Sequence, residues 1–490
     1  MEKKTIKNPL VKRNKTKLVR DSSRVITRAH IPGNTERIPK IMDRVLNLTE
    51  KKAADLLQNV HLSFSNRHKS IEAIFIDNYI KVLPYTNHDL TISNTMKLLI
   101  GAYFTMEYSV ESAALFNPSI VPHPDQTGVG QGNLRFIMSL RATGEGHISS
   151  IVFRSGIIHN NCSFEFDPLG DIVETPKIRH DKFYDRHLFH LKLKDMNAWN
   201  EISSNVFKML PEEFTFDELK TSISNLHLNQ KNRVNKEAIK NILWLADSNY
   251  FIKFETNNEI SERVIFPVSA SESRGIEDAR FVQFNDDNGE ITYFATYTAY
   301  NGVCILPQLL MTRDFLDFDI ITLNGRAVQN KGMALFPRKI NGKYAMLSRL
   351  DGENNHIMFS DHLHFWNEAK IIQEPFMPWE FIQIGNCGSP IETSEGWIVL
   401  THGVGPMRQY SIGAILLDLE DPSKMIARLE KPLLIPNEDE REGYVPNVVY
   451  SCGSLIHNNM LIIPYAMSDI TSGIATVSVK DIILCMKSCR

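Results

Sequence analysis

The second half of the chain repeats one pattern of strands four times. Each copy begins at a glycine, passes through an apolar strand into a polar turn, and continues with further strands. The copies begin at Gly275, Gly332, Gly385 and Gly443. Repeats of roughly 50–60 residues are typical of propeller blades and are longer than those of helical solenoids. The repeat therefore favours an all-β core built from successive small sheets.

A fifth copy lies earlier, from Phe116 to Val121 and on through LRFIMSLRATGEGHISSIVFR. Within the copies the apolar residues follow a period of two, which is typical of strands. Asn-Gly or Asn-Asn pairs mark hairpins, as in Ile340–Lys343 and His457–Met460. Five copies arranged around one axis predict a five-bladed β-propeller.

Two segments change to the helical period of 3.6 residues. Residues 36–112 predict a helical extension, and residues 183–252 predict a helical insertion in the first blade. The five-bladed catalytic domain then occupies residues 113–490. We expect these helices to pack on the flank of the propeller or to close an interface in a homo-oligomer.

Residues 1–35 are predicted to form a flexible basic arm. Its first thirty residues carry ten Lys or Arg, a pattern that indicates a solvated segment first and an interaction arm second. The whole chain has a formal net charge of −3 and gives no case for a nucleic-acid partner. Because it also lacks a signal peptide and an apolar run long enough for a membrane span, we expect a cytoplasmic protein.

The stretch SESRGIEDARFV, residues 271–282, places Glu277 and Asp278 between Arg274 and Arg280 at the mouth of a strand. One interpretation is an ion-paired turn, since short charged turns are common. The other is a catalytic acid that its neighbours hold in place.

The rest of the repeat bears on this choice, because the inner strands of all blades point at one mouth of a propeller. Equivalent positions in the five copies are polar or charged: Arg141, Asp278, Arg280, Lys331, Arg349, Asp351, Gln383, His402, Tyr410, Glu442 and Asp469. Carboxylates accept sugar hydroxyls, and arginine binds phosphate oxygens, so such a ring suits a polyhydroxylated substrate together with an anion. Taken alone, His402 also fits a structural hydrogen bond, and Arg349 an ion pair between blades.

The sequence contains little evidence for other classes of site. His362-Leu-His364 is weak evidence for zinc, and no group of ligands has convincing metal spacing. Phosphate-binding loops and dinucleotide-binding glycine motifs are also missing from the sequence. We therefore expect no metal and no cofactor.

Several long motifs resemble glycoside hydrolase family 130, the β-mannoside phosphorylases and β-mannosidases. They are RGIEDARFV, ALFPRKINGKYAMLSR, IGNCGSPIETSEGWIVLTHGVG and EREGYVPNVVYSCGSLI. The resemblance covers about residues 116–165 and 262–480, and it implies a five-bladed propeller. The helical extension and the insertion suggest a longer subgroup of the family.

The resemblance also implies roles for individual residues. Asp278 of the G-x-E-D-x-R motif matches the general acid, and Asp469 matches an aspartate that contacts the mannosyl unit. The positions matching phosphate ligands are Arg349, His402 and Tyr410, and less securely Lys331 and Arg141. Further substrate contacts are expected from Arg280, Asp351, Gln383, Asn386 and Glu442.

The activity implied is that of an inverting phosphorylase, which transfers a mannosyl unit from a β-mannooligosaccharide to inorganic phosphate, its co-substrate, and yields α-mannose 1-phosphate. One residue departs from the pattern: Gln383 stands where many phosphorylases of the family have a lysine. The alternative is therefore an inverting β-mannosidase, with Glu442, Asp351 or Glu353 as the base. A non-catalytic carbohydrate-binding propeller is the third interpretation.

Overall fold

The computed structural model describes residues 9–86, 92–179, 181–226 and 233–488. The N-terminal region contains two strands, then four helices, then a third strand. Their bounds are β1 (Lys12–Leu18), β2 (Val25–Ala29), α1 (Arg37–Leu46), α2 (Glu50–Phe64), α3 (Ile71–Val82), α4 (Asn94–Tyr103) and β3 (Thr105–Ser109). The four helices enclose an apolar core of their own, which includes Ile38, Phe75 and Leu99. None of the helices formed by the described residues is long and apolar enough to cross a membrane.

The first sheet follows directly and is antiparallel. Its strands are β4 (Ala114–Pro122), β5 (Leu134–Thr143), β6 (Ser149–Ile158) and β7 (Phe164–Phe166). A buried cluster anchors the start of β2 and the end of β3 to this sheet, because the carboxylate of Glu111, just after β3, accepts hydrogen bonds from both Arg24, just before β2, and Arg154 of β6. All three side chains are at least 95% buried. A buried carboxylate paired with two guanidinium groups fixes the relative position of the two elements.

A mostly helical insertion separates the first sheet from the second. It comprises β8 (Lys177–Ile178), β9 (Tyr184–Asp185), α5 (Arg186–Asp195), α6 (Glu201–Lys208), β10 (Glu213–Phe214), α7 (Phe216–Asn225), α8 (Arg233–Asp247) and β11 (Tyr250–Lys253), followed by β12 (Val264–Ile265). Helix α7 starts at a capping box in which Thr215 and Glu218 bond each other's backbone amides. The insertion was predicted to lie in the first blade. That placement needs correction, because β11 pairs with the last strand of the second sheet.

The remaining strands form four more antiparallel sheets in chain order, and the second of the five is joined to the first by one parallel pair, Gly275 with Ser149. The second sheet contains β13 (Gly275–Asn285), β14 (Ile291–Tyr300), β15 (Ile305–Thr312) and β16 (Asp317–Thr322). The third contains β17 (Ala334–Leu335), β18 (Tyr344–Ser348), β19 (Asn355–Ser360) and β20 (Lys370–Gln373). The fourth contains β21 (Gln383–Asn386), β22 (Ile391–Thr393), β23 (Gly396–Val404), β24 (Tyr410–Leu417) and β25 (Met425–Arg428). The fifth contains β26 (Val449–Tyr450), β27 (Leu455–His457), β28 (Met460–Met467) and β29 (Thr471–Ser478). Helix α9 (Val479–Cys485) and β30 (Lys487–Ser488), which pairs with β25, end the described chain.

The two hairpins predicted from asparagine pairs are confirmed. Ile340 pairs with Lys343 and His457 pairs with Met460. The central residues of both turns have positive φ, as at Asn341 (49°) and Asn458 (47°). Two-residue hairpin turns of this kind favour asparagine and glycine, because other side chains resist the left-handed conformation.

Apolar clusters join the sheets in chain order. Residues of the first and second sheets share one cluster, as do those of the second and third, the third and fourth, and the fourth and fifth. One further cluster joins the fifth sheet back to the first and contains Ile462 and Ile474 together with Ile120 and Met138. Strand β23 is buried along its whole length, as expected of an inner strand covered on both faces. The expected all-β core with added helices is thereby confirmed.

The N-terminal strand completes the fifth sheet. Strand β1 pairs with β29, so that Lys12 lies opposite Thr476 and Leu18 opposite Ser472. Arg13 also donates two hydrogen bonds to the carboxylate of Glu440, which is 3% exposed. The prediction of a flexible arm over residues 1–35 is therefore wrong for β1 and for β2, which pairs with β3. Residues 1–8 of that prediction lie outside the described residues.

Removing residues 1–19 is expected to lower the melting temperature by about 2–5 °C, because the edge of β29 loses its partner and Glu440 loses Arg13. Circular dichroism during heating measures this shift. The matched control lacks only residues 1–8. Equal melting temperatures for the two shortened chains would contradict a stabilising role for β1.

Candidate active site

The central feature of the site is a bulge in β13. Glu277 pairs with Thr298 and Arg280 pairs with Thr296, so Asp278 and Ala279 together face one residue of β14. Asp278 adopts a φ of 56°. A non-glycine residue in this left-handed region is uncommon and points to a local requirement, and bulges re-aim side chains next to active sites.

A second bulge, in β4, supplies the partner of this carboxylate. Pairing between β4 and β5 shifts after Phe116, and Asn117 has a φ of 50°. The side-chain amide of Asn117 donates to Oδ1 of Asp278 at 2.6 Å. The sequence analysis missed Asn117, although the Asn-Pro pair that opens the first repeat was a signal for an irregular backbone.

Arg141 of β5 lies between two carboxylates. Its Nη2 donates to Oε1 of Glu277 at 2.8 Å and its Nη1 to Oδ1 of Asp278 at 3.3 Å. The remaining Nε donates to the hydroxyl of Ser149, and the guanidinium lies 5.0 Å from the centroid of the Phe116 ring. Arg141 was predicted to bind phosphate, and here it holds the two acidic residues of the motif in fixed positions.

The pKa values of two aspartates of the site are shifted in opposite directions. Burial alone would raise the pKa of Asp278, but the positive charges of Arg141 and Lys331 and the bond from Asn117 lower it below its usual range. Burial and the negative charge of Asp278 raise the pKa of Asp469 to about 6. Around neutral pH Asp278 is thus firmly ionised, whereas Asp469 takes up a proton in mildly acidic solution.

Cationic side chains gather on the other side of Asp278. Lys331 and Arg280 line one small cavity with it. Arg280 is held by the side chain and the carbonyl of Asn386, at 3.0 Å from the carbonyl, and donates to the Tyr450 hydroxyl at 2.6 Å. Asn386 in turn donates to the carbonyl of Gly332 at 2.6 Å. Arg280 and Asn386 therefore tie the second, third, fourth and fifth sheets together at the site.

His402 is electrically neutral in this environment. Burial and the positive charges of Arg349 and Arg280 lower its pKa well below the usual range. Its Nδ1 lies 3.3 Å from the carbonyl of Asn386, which can only accept, so Nδ1 carries the proton. The lone pair of Nε2 then accepts from Nη1 of Arg349 at 3.3 Å.

The residues around His402 include further hydrogen-bond donors that an anion could use. Nε of Arg349 is buried and has no hydrogen-bond partner among the described residues. The amide of Gln383 donates to the Tyr410 hydroxyl at 3.3 Å, and the Tyr410 ring stacks on His402 with centroids 5.9 Å apart. Arg349 is half-buried, and a buried N–H of a cation that lacks a partner is costly unless a ligand meets it, so this cluster is suited to an anion.

Two predicted residues lie apart from this arrangement. The carboxylate of Asp351 accepts from the backbone amides of Glu353 and Asn354 and from the Asn354 side chain, so it closes its own turn. Glu442 is exposed in the segment before β26 and does not line the cavity that holds Asp278, Arg280 and Lys331. The described residues also contain no group of three His, Cys, Asp or Glu side chains placed to hold a metal ion.

Comparisons with known proteins agree with this chemistry. The family model of glycoside hydrolase family 130, described as β-1,4-mannooligosaccharide phosphorylase, matches residues 227–488. A 1,2-β-oligomannan phosphorylase of Thermoanaerobacter sp. (strain X514) is 37% identical over 231 residues, which are 44% of this chain and 74% of that protein. A β-1,2-mannobiose phosphorylase of Listeria innocua is 27% identical over 303 residues, 59% of this chain and 80% of the relative. The solved structure of a Listeria innocua β-1,2-mannobiose phosphorylase in complex with β-1,2-mannobiose has a TM-score of 0.46 at 21% identity, over 77% of this chain and 92% of that one.

The family model spans more than half of the chain, and its match includes Asp278, the cationic cluster and Asp469. The resemblance found in the motifs is thereby confirmed, and with it the expectation of an enzyme. The chain belongs to glycoside hydrolase family 130, whose members act on β-mannosides.

Proposed function

We propose that this protein is an inverting β-mannoside phosphorylase that transfers a mannosyl unit from a β-mannooligosaccharide to inorganic phosphate and yields α-mannose 1-phosphate. The observation that carries the proposal is the set of cationic donors around Asp278. Lys331 and Arg280 line one cavity with its carboxylate. Arg349, whose buried Nε has no partner among the described residues, adjoins them through His402. The set offers an anion site next to a group that can supply a proton, and phosphorolysis requires both.

We also propose that the five sheets form a five-bladed propeller around this site. The apolar clusters link each sheet to the next and the fifth to the first, as a ring requires. Each sheet or its following loop contributes to the site, from Asn117 in the first to Asp469 in the fifth. A second cavity of about 350 Å³ is lined by segments of all five sheets, which fits the opposite end of a central axis.

In the proposed reaction, phosphate attacks the anomeric carbon while Asp278 supplies a proton to the departing oxygen, directly or through a sugar hydroxyl. The low pKa of free Asp278 follows largely from neighbouring cations. A bound phosphate dianion would offset the charges of Lys331 and Arg280, and would therefore raise the pKa of Asp278 when substrate is present. Phosphate binding and proton supply are coupled in this way.

His402 acts in this scheme as a positioning residue. Its Nε2 already accepts from Arg349, and its neutral ring adds no positive charge. Orientation of the Arg349 guanidinium is thus the contribution we assign to it. Tyr410 and Gln383 provide neutral donors on the same side.

The alternative is an inverting β-mannosidase, and Gln383 is the observation that favours it. A glutamine leaves the anion site one cation weaker than the lysine of many phosphorylases. Hydrolysis also needs a carboxylate base to activate water. Both carboxylate oxygens of Asp351 accept hydrogen bonds within its own turn, and Glu353 and Glu442 are exposed. None of the three therefore suits that role. We therefore place phosphorolysis first. The cytoplasmic location, the absence of a cofactor and the homo-oligomer remain predictions.

Replacing Asp278 by Asn is expected to lower turnover of β-1,2- or β-1,4-mannobiose by at least roughly two orders of magnitude, because the amide cannot deliver a proton. Release of mannose and mannose 1-phosphate measures the rate. The comparison requires an unchanged thermal transition of the variant. Near-native turnover would remove Asp278 from the reaction and favour a binding role for the site.

The nucleophile is tested by supplying mannobiose with and without phosphate. We expect α-mannose 1-phosphate to form in the phosphate-dependent reaction. Gln383→Lys should lower the KM for phosphate about three- to tenfold, since a charge-assisted bond replaces a neutral one, and Arg349→Ala should raise it by more than that.

Gln58→Lys, on the exposed face of α2, is the matched control for an added charge. Two free mannoses at a rate indifferent to phosphate would establish the hydrolase instead.

The raised pKa of Asp469 predicts a pH-dependent stability. The folded protein binds this proton more tightly than the unfolded chain does, so the favourable contribution is complete below about pH 4 and is lost as the pH rises to about 6. Asp469→Asn removes the effect. Its free energy of unfolding relative to wild type should therefore increase between pH 4 and pH 6.5, by at most about 3 kcal/mol. Chemical denaturation at several pH values measures the difference, and a constant difference would contradict the assignment.

A further inference from the structure

We infer that His147 and Tyr444 form an aromatic platform for the leaving saccharide, the sugar on the far side of the bond that is cleaved. The inference rests on the proposed function and assigns a binding role to residues outside the charged cluster. It concerns a cavity of about 280 Å³ that opens beside Asp469.

The cavity is lined by charged and aromatic side chains. Asp469, Glu277 and Arg141 are the charged ones, and Phe116 and Tyr300 are aromatic. Sugar-binding sites combine these features, because carboxylates and guanidinium groups bond hydroxyls whereas aromatic faces cover the apolar C–H faces of the ring. The volume lies near the lower end of the roughly 300–1,000 Å³ that ligand pockets occupy.

His147 and Tyr444 come from distant parts of the chain and meet at the rim of this cavity. Their ring centroids lie 5.5 Å apart at an interplanar angle of 31°. Tyr444 is 67% exposed. His147 lies in the β5–β6 turn with a φ of 58°, which a side chain other than glycine rarely adopts. The fold thus holds two exposed rings together at a cost in backbone strain, and it does so beside the site.

The backbone keeps Tyr444 next to Asp469. The amide of Val445 donates to the carbonyl of Ser468 at 3.1 Å, so the residues that follow Tyr444 and precede Asp469 are joined. A sugar stacked on the platform would therefore adjoin a mannosyl unit held by Asp469, since both residues of the platform and Asp469 line the same cavity. Arg274, which lines the same cavity, adds donors for its hydroxyls.

The side on which this cavity lies fits a leaving group. Lys331 and Arg280 line a different cavity with Asp278, whereas Arg141 and Glu277 line this one. Asp278 is bonded to Arg141 and so stands between the two. In an inverting reaction the nucleophile and the leaving group lie on opposite faces of the sugar. If phosphate binds in the cavity lined by Lys331 and Arg280, the departing saccharide must occupy the cavity that the aromatic residues line.

The test compares two substrates that differ only in their leaving group: β-1,2-mannobiose and β-mannosyl fluoride, which places a single atom in the cavity. Tyr444→Ala and His147→Ala should each lower kcat/KM for mannobiose about three- to tenfold, as expected for lost aromatic stacking. Both should leave kcat/KM for the fluoride within about twofold of wild type. Tyr444→Phe should keep most of the mannobiose activity, and Tyr85→Ala, at an exposed tyrosine of the helical region, is the matched control.

Equal losses on both substrates, or no loss on mannobiose, would overturn the inference while leaving the proposed function intact. If the wild-type protein turns over neither substrate with phosphate or with water, the proposed function has failed. Calorimetric titration with mannobiose and with mannose then decides the platform alone. Weaker binding of mannobiose by Tyr444→Ala, with mannose binding unchanged, would uphold it. Equal affinities of variant and wild type for mannobiose, or no binding to either, would overturn it.

Discussion

The bond network of Arg141 is the constraint on which the site depends. One guanidinium spans Glu277 and Asp278, and Asn117 fixes the second carboxylate from the neighbouring strand. Asp278 and Asn117 both occupy left-handed backbone conformations, which β-strands do not supply without a bulge. The strain is compatible with the fold because a charge-assisted bond in a buried place is stronger than the local cost. The ion-paired turn and the held acid, offered as alternatives for this motif, are thus two descriptions of one arrangement.

The ionisation states of the residues at the site depend on their surroundings more than on their residue type. Burial acts to raise the pKa of both Asp278 and Asp469, yet cations next to Asp278 lower its pKa, whereas burial and then the charge of Asp278 raise that of Asp469. Burial, together with the charges of Arg349 and Arg280, lowers the pKa of His402 and leaves its ring neutral. The free site therefore presents an ionised acid, a readily protonated acid and a neutral imidazole within one group. A phosphate dianion bound here, as proposed, would change the balance for all three, because each pKa depends on neighbouring charges as well as on burial.

The sequence predicted what repeats and what carries charge. Period-two strands recur in every copy and asparagine pairs mark two of the hairpins, so the all-β core and candidate positions such as Asp278 and Arg349 could be predicted. Strand β1 could not, because KRNKTKL shows no apolar alternation and forms an exposed edge whose partner lies more than 450 residues away. Asn117 was not predicted as a site residue because an Asn-Pro pair is compatible with an ordinary turn. The attachment of β11 to the second sheet depends on long-range pairing that no local pattern encodes.

Strand β1, which the sequence did not predict, is also connected to the site. Arg13 of β1 bonds the carboxylate of Glu440, which accepts from Tyr465 at 2.6 Å as well. The carbonyl of Glu440 accepts from the hydroxyl of Ser468 at 2.6 Å, and Ser468 precedes Asp469. Ser468 and Asp469 both have positive φ, so this turn needs support from outside its own hairpin. The strand that completes the fifth sheet therefore also supports Asp469, which lines the cavity proposed to bind the leaving saccharide. A basic N-terminal segment that reads as a solvated tail thus serves as a structural part of the catalytic domain.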